Sequence, residues 1–104
     1  MNKLFTKGDR VLFANDPATF DSYNSEKSSY ITFHEEARKS LVPTRSLVFD
    51  ANYMTYEKIC KFMSDNNITG ASITDLAWTT LSLNTKQLFI QDIHDLIKDD
   101  SVGE

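Results

Sequence analysis

The feature that most constrains this chain is a change of hydrophobic period near residue 50. Ahead of it, apolar residues alternate with polar ones in short runs separated by turn formers, the signature of strands with one buried face. Beyond it they recur at three- and four-residue spacing, the mark of amphipathic helices. Such a switch predicts an α+β protein, with strands over residues 1–50 and two or three packed helices over 51–104, joined as one integrated body.

Five strands are expected: Arg10–Ala14, Ala18–Tyr23, Tyr30–His34, Lys39–Val42 and Ser46–Phe49. Asn15-Asp16-Pro17 should stop the first, Asn24 to Ser28 the second, and Glu35-Glu36-Ala37-Arg38 should turn the third into the fourth. Alternation turns Val11, Phe13, Phe20, Ile31, Phe33, Val42 and Leu47 inward and leaves Leu12, Tyr30, Leu41, Val48 and Phe49 outside. That outer set is more apolar than so small a unit should show to water, so the helices, or a dimer interface, are expected to cover it.

Gly8-Asp9-Arg10-Val11 resembles the opening G-D-x-V of KOW and Tudor-type barrels, and Val42-Pro43-Thr44-Arg45-Ser46-Leu47 resembles their closing V-P-x-x-x-L. Ala18 and Thr19 stand where KOW motifs commonly carry a glycine. The resemblance implies a five-stranded SH3-like barrel over residues 1–50 that binds through loops and exposed aromatics. It extends to nothing in the second half.

In that half, Thr55 is a candidate N-cap for a helix over Tyr56–Met63, ended by Asn66-Asn67, with a turn at Ile68-Thr69-Gly70. A shorter helix is expected around Ile73–Trp78. A last one, capped by Asn84 or Thr85, should bury Phe89, Ile90, Ile93, Leu96 and Ile97.

No run approaches the roughly twenty apolar residues of a membrane helix, and Met1-Asn2-Lys3-Leu4-Phe5 does not resemble a signal peptide, so a cytoplasmic protein is expected. Cys60 is the sole cysteine, which excludes an internal disulfide, and with two histidines it is too little for a structural zinc site. Few Gly and Pro beside many Asn, Lys, Ile, Ser and Thr fit a gene of low GC content, such as a phage or low-GC bacterium carries.

Catalytic motifs are weak. His34-Glu35-Glu36-Ala37-Arg38 begins like the metalloprotease H-E-x-x-H but has Arg38 in place of the second histidine, and reads as a solvated turn. His94 between Asp92 and Asp95 could be oriented for acid–base work, yet reads as a surface histidine on an acidic helix. Cys60 between Lys58 and Lys61 reads as a small core residue. No phosphate loop or nucleophile motif is visible, so neither an enzyme nor a cofactor is expected.

Charge points to partners. Residues 1–50 carry seven basic and seven acidic groups, and residues 51–104 carry four and eight, so the net charge of −4 belongs to the second half. Asp92, Asp95 and Asp99 make one helical stripe extended by Asp100 and Glu104, a poor fit to a DNA groove but suited to a basic protein surface where carboxylates stand in for phosphates. On the first half, Tyr23, Lys27, Tyr30, Arg38, Lys39 and Arg45 could supply stacking and phosphate contacts. The expectation is a small regulatory interaction protein, of the phage accessory or inhibitory kind, that binds a protein partner with a basic surface. The alternative is a factor that binds DNA or RNA through the barrel.

Overall fold

The computed structural model describes residues 4–68 and 73–102, with side chains as far as residue 97 at its C-terminal end. The chain is α+β and divides into two units, residues 1–50 and 51–104.

In the first unit, β1 (Arg10–Phe13), β2 (Asp16–Tyr23), β3 (Ser28–Phe33), β4 (Lys39–Pro43) and β5 (Leu47–Phe49) form one antiparallel sheet in the order β4-β3-β2-β1-β5. The expected closed barrel is corrected here: β4 and β5 remain the edges of an open sheet. A 3-10 turn over Thr44–Ser46 separates them in sequence.

The β1–β2 connection is tighter than Asn15-Asp16-Pro17 suggested. Ala14 and Asn15 alone make it, both with positive φ (51° and 70°), as the type I′ hairpin turn requires. Pro17 therefore lies inside β2, opposite Leu12, where its carbonyl accepts from the His34 amide at 3.2 Å. Gly8 (φ 96°) makes the turn into β1 at an angle side chains resist, and its amide donates to the Phe20 carbonyl.

The inward alternation holds. Val11, Ala18, Phe20, Ile31, Val42 and Leu47 are buried, with Phe13 and Phe33 packed at their margin. Val48, expected outside, is buried next to Leu47 in β5, and two aromatics also depart from the alternation. Phe5, ahead of any periodic segment, is buried against this core, and Phe49, expected outside, packs on it with ring centroids 4.8 Å apart. The segment before β1 thus contributes a ring that strand alternation cannot foresee.

The second unit opens with a 3-10 turn at Ala51–Tyr53 and continues with α1 (Tyr56–Asp65), α2 (Asp75–Thr80) and α3 (Leu83–Val102). The Thr55 hydroxyl caps α1 by accepting from the Lys58 amide, and Asn67 (φ 57°) ends it as the Ile68 amide donates back to the Met63 carbonyl. Thr69 and Gly70 of the expected turn lie outside the described residues. α2 tolerates its threonines because Thr79 and Thr80 donate to the Asp75 and Leu76 carbonyls one turn back. α3 begins earlier than Asn84: the Ser82 hydroxyl accepts from the Thr85 amide at 3.2 Å, which makes Ser82 its cap.

α1 buries Ile59, Phe62 and Met63, and Met54, Trp78, Ile90 and Ile93 are buried as well. The inner face of α3 is rotated from the expected one. His94, expected at the surface, is buried with its ring 4.9 Å from that of Phe62, whereas Leu96, expected inside, is exposed. An imidazole can serve as a flat, partly apolar filler, and the helix turns to place it there.

Candidate functional sites

Two surfaces gather groups that could bind. The first is the outer face of α3. Leu88 is 58% exposed and Leu96 50%, two turns apart, and Asp92 and Asp95 lie between them, also exposed. Asp95 accepts from the Gln91 amide nitrogen at 3.1 Å, which fixes its carboxylate along the helix. Of the expected stripe, the side chains of Asp99 and Asp100 lie outside the described residues, so the described part is Asp92 and Asp95 with two leucines. A single exposed leucine is ordinary on a protein surface. Two on one helix face, with carboxylates between, offer apolar area and charge together.

The second surface is the outer face of the sheet, built by the strand register. Arg10 pairs with Thr19, Thr19 with Thr32 and Thr32 with Lys39, so one transverse row crosses β1, β2, β3 and β4. Residues in register on neighbouring strands share a face. Beside the row, His34 Nε2 lies 2.9 Å from the Thr19 hydroxyl and 3.2 Å from Arg10 Nη1. A guanidinium only donates, so Nε2 is the acceptor in this contact. On the other side, Lys39 Nζ stands 4.9 Å from the centre of the Tyr30 ring, a contact worth about 0.5–1 kcal/mol at an exposed site. Asp21, at a bulge in β2, accepts from the Thr32 hydroxyl at 2.9 Å.

The six residues expected to bind from the first half are not all on this face. Tyr30 and Lys39 are. Arg38 lies in the β3–β4 turn, paired with Glu36 at 3.0 Å. Lys27 and Arg45 share a different edge, since the Lys27 carbonyl accepts from the amide of Thr44, next to Arg45. The Tyr23 ring is edge-on to Phe20, and its hydroxyl accepts from the Phe5 amide at 2.8 Å, so it anchors the leading segment. Burial, with a smaller push from Asp9, raises its phenol above the ordinary 10.0, although the hydrogen bond from Phe5 opposes the shift. Arg10, Thr19, Thr32 and His34 were not anticipated as site residues.

The other candidates stay dispersed. Cys60 is half-buried, and its hydrogen bond with Tyr56, one turn earlier, is the main cause of a raised tyrosine pKa there. No group of three or more His, Cys, Asp or Glu among the described residues could hold a metal ion. No helix among them is long and apolar enough to cross a membrane. Comparison with protein-family models, with curated proteins and with solved structures finds no match.

Proposed function

We propose that this protein is a non-enzymatic interaction protein that docks on a protein partner through the outer face of α3. The observation that carries the reading is the pattern Leu88, Asp92, Asp95, Leu96 on one exposed helix face. Burying the half of each leucine that is still exposed would contribute about 1 kcal/mol. The carboxylates select a basic surface and steer the approach. Carboxylates spaced along a helix can occupy cationic sites that otherwise hold phosphates, which suits an accessory or inhibitory factor acting on a nucleic-acid-handling protein.

The non-enzymatic reading is supported by the two histidines. His94 is buried against Phe62, and His34 holds a guanidinium and a hydroxyl. Strand order β4-β3-β2-β1-β5 with a 3-10 turn before β5 supports reading the first unit as SH3-like, and a cytoplasmic setting fits the free thiol of Cys60.

Affinity capture from nuclease-treated lysate of the source cells, with wild type and Asp92→Lys/Asp95→Lys in parallel, tests the reading. A protein held by wild type and lost by the variant, with circular dichroism unchanged, is expected. Equal capture by both contradicts it.

A further inference from the structure

The β4 edge of the sheet takes no part in the α3 reading and carries a separate inference. The direction of its backbone groups follows from the ladder. The Phe33 amide donates to the Arg38 carbonyl at 3.1 Å and the Thr44 amide to the Lys27 carbonyl at 2.9 Å, in one register with the pairs Ser29–Val42 and Ile31–Ser40. Bonded pairs alternate along an antiparallel ladder, so Ser40 and Val42 turn their amides and carbonyls to β3 while Lys39, Leu41 and Pro43 turn theirs away. β4 is an outer strand of the sheet, and those three residues are exposed, Leu41 by 53%. The outward row therefore holds amides at Lys39 and Leu41, none at Pro43, and a carbonyl at each. β5, the other edge, is three residues long, and its Leu47 amide already donates to the Thr44 carbonyl.

We propose that β4 pairs antiparallel with β4 of a second copy of this chain, Leu41 opposite Leu41 across a two-fold axis. A two-fold makes one edge serve both sides, and this edge is self-complementary about Leu41. The two Leu41 residues exchange both amide–carbonyl bonds, and each Lys39 amide donates to the Pro43 carbonyl facing it, so every outward amide is used. The donor that Pro43 lacks is missed only by the Lys39 carbonyl, at the end of the ladder and open to water. Proline and lysine on an edge guard it against indiscriminate pairing. Here both stand at the ends of the strand, where they select a register. With Leu41 at the centre the two Lys39 residues lie roughly 14 Å apart along the strands, beyond the screening length of about 8 Å at physiological salt. The other register that uses every outward amide, Lys39 opposite Leu41, halves that distance and sets like charges against each other. On the outer face Tyr30 stands beside Leu41 in register, so the two-fold lines up both leucines and both tyrosines in one apolar row. A foreign strand would place a residue of unrelated type against Leu41, whereas a second copy supplies an apolar partner and holds its own cations apart.

Sedimentation velocity of the full chain, from micromolar to near-millimolar concentration, tests this. The mass should rise from one chain to two. Leu41→Pro removes the central amide from each copy and touches no bond within the sheet, because that amide points outward. It should raise the dissociation constant about thirtyfold. Leu41→Asp, which sets two carboxylates opposite each other, should abolish the dimer, and circular dichroism of both variants establishes that they are folded. Mild oxidation of Cys60→Ser/Leu41→Cys should crosslink two chains, since directly bonded antiparallel partners have Cα atoms about 5.5 Å apart, inside the range a disulfide spans. A chain that stays monomeric throughout overturns the proposal, as does a dimer that both folded Leu41 variants leave intact or that position 41 fails to crosslink. A dimer lost instead by Leu88→Ser/Leu96→Ser overturns it too and assigns self-association to the α3 face.

Discussion

Trp78 donates its indole proton to the Met54 carbonyl at 3.1 Å, joining α2 to the segment that leads into α1 through one buried hydrogen bond. Phe89 meets the same ring edge-on at 5.7 Å, and Lys86 Nζ stands 5.5 Å from its centre, so elements from both ends of the helical unit converge on one side chain. Trp78→Phe keeps most of the volume but leaves a buried carbonyl without its donor, a loss of about 1–3 kcal/mol. Urea unfolding followed by the far-ultraviolet helical signal should show a lower midpoint. An unchanged midpoint would mean that this bond does not hold the unit together.

The β1–β2 turn is built on the wrong residue for its geometry. Ala14 sits at φ 51°, where a Cβ costs roughly 1–2 kcal/mol, and glycine would avoid that cost while losing about 0.5–1 kcal/mol to unfolded-state entropy. Ala14→Gly should therefore stabilise the sheet by about 0.5 kcal/mol, whereas Ala14→Val should destabilise it. Thermal unfolding of the two variants beside wild type should rank them Gly above Ala above Val. Any other order contradicts the positive-φ assignment.

Tyr23 should make the sheet unit sensitive to alkali. Burial raises its phenol above 10.0 in the folded chain, so the folded state holds the proton more tightly than the unfolded one. The stability this contributes is complete below pH 10 and declines as pH rises from 10 through the folded value. Tyr23→Phe removes both the titration and the acceptor for the Phe5 amide. It should cost about 1 kcal/mol at neutral pH and flatten the alkaline decline. The check is the urea midpoint measured across pH 8 to 11; a variant declining as steeply as wild type would place the sensitivity elsewhere.

Strand-period alternation located all five strands because side chains on successive strand residues face opposite ways, and burial of one face writes that period into the residue types. Thr55 as the cap of α1 was equally legible, since it stands just before the first helical residue. Register was not legible in advance. Nothing in the residues states that Arg10, Thr19, Thr32 and Lys39 align; the two-residue turn at Ala14-Asn15 determines the first step and the β2 bulge shifts the pairing beyond. The site row depends on both, which is why Tyr30 and Lys39 were singled out while Arg10 and His34 were not. On α3, a histidine and a leucine exchanged their expected environments, because an apolar stripe drawn from residue type assigns His94 outward and Leu96 inward. Phe5 escaped notice for a simpler reason, as it precedes the first periodic segment.

Leu88 and Leu96 should be dispensable for folding. Both are at least half exposed, and surface substitutions away from caps and cores usually stay within about 0.5 kcal/mol. Leu88→Ser/Leu96→Ser should leave the urea midpoint within that range while weakening capture of the α3 partner. A large fall in the midpoint would show that these leucines support the fold and are unavailable to a partner.

The central claim, a protein partner seated on the outer face of α3, is tested most directly by site-specific photo-crosslinking in nuclease-treated lysate. A photoreactive residue at position 88 or 96 reports on that face, and one at position 24, an exposed site in the β2–β3 loop, serves as the control. The account predicts a discrete protein adduct from 88 and from 96, lost when Asp92 and Asp95 are reversed to Lys, and none from 24. Adducts from position 24 with none from 88 or 96 would contradict it.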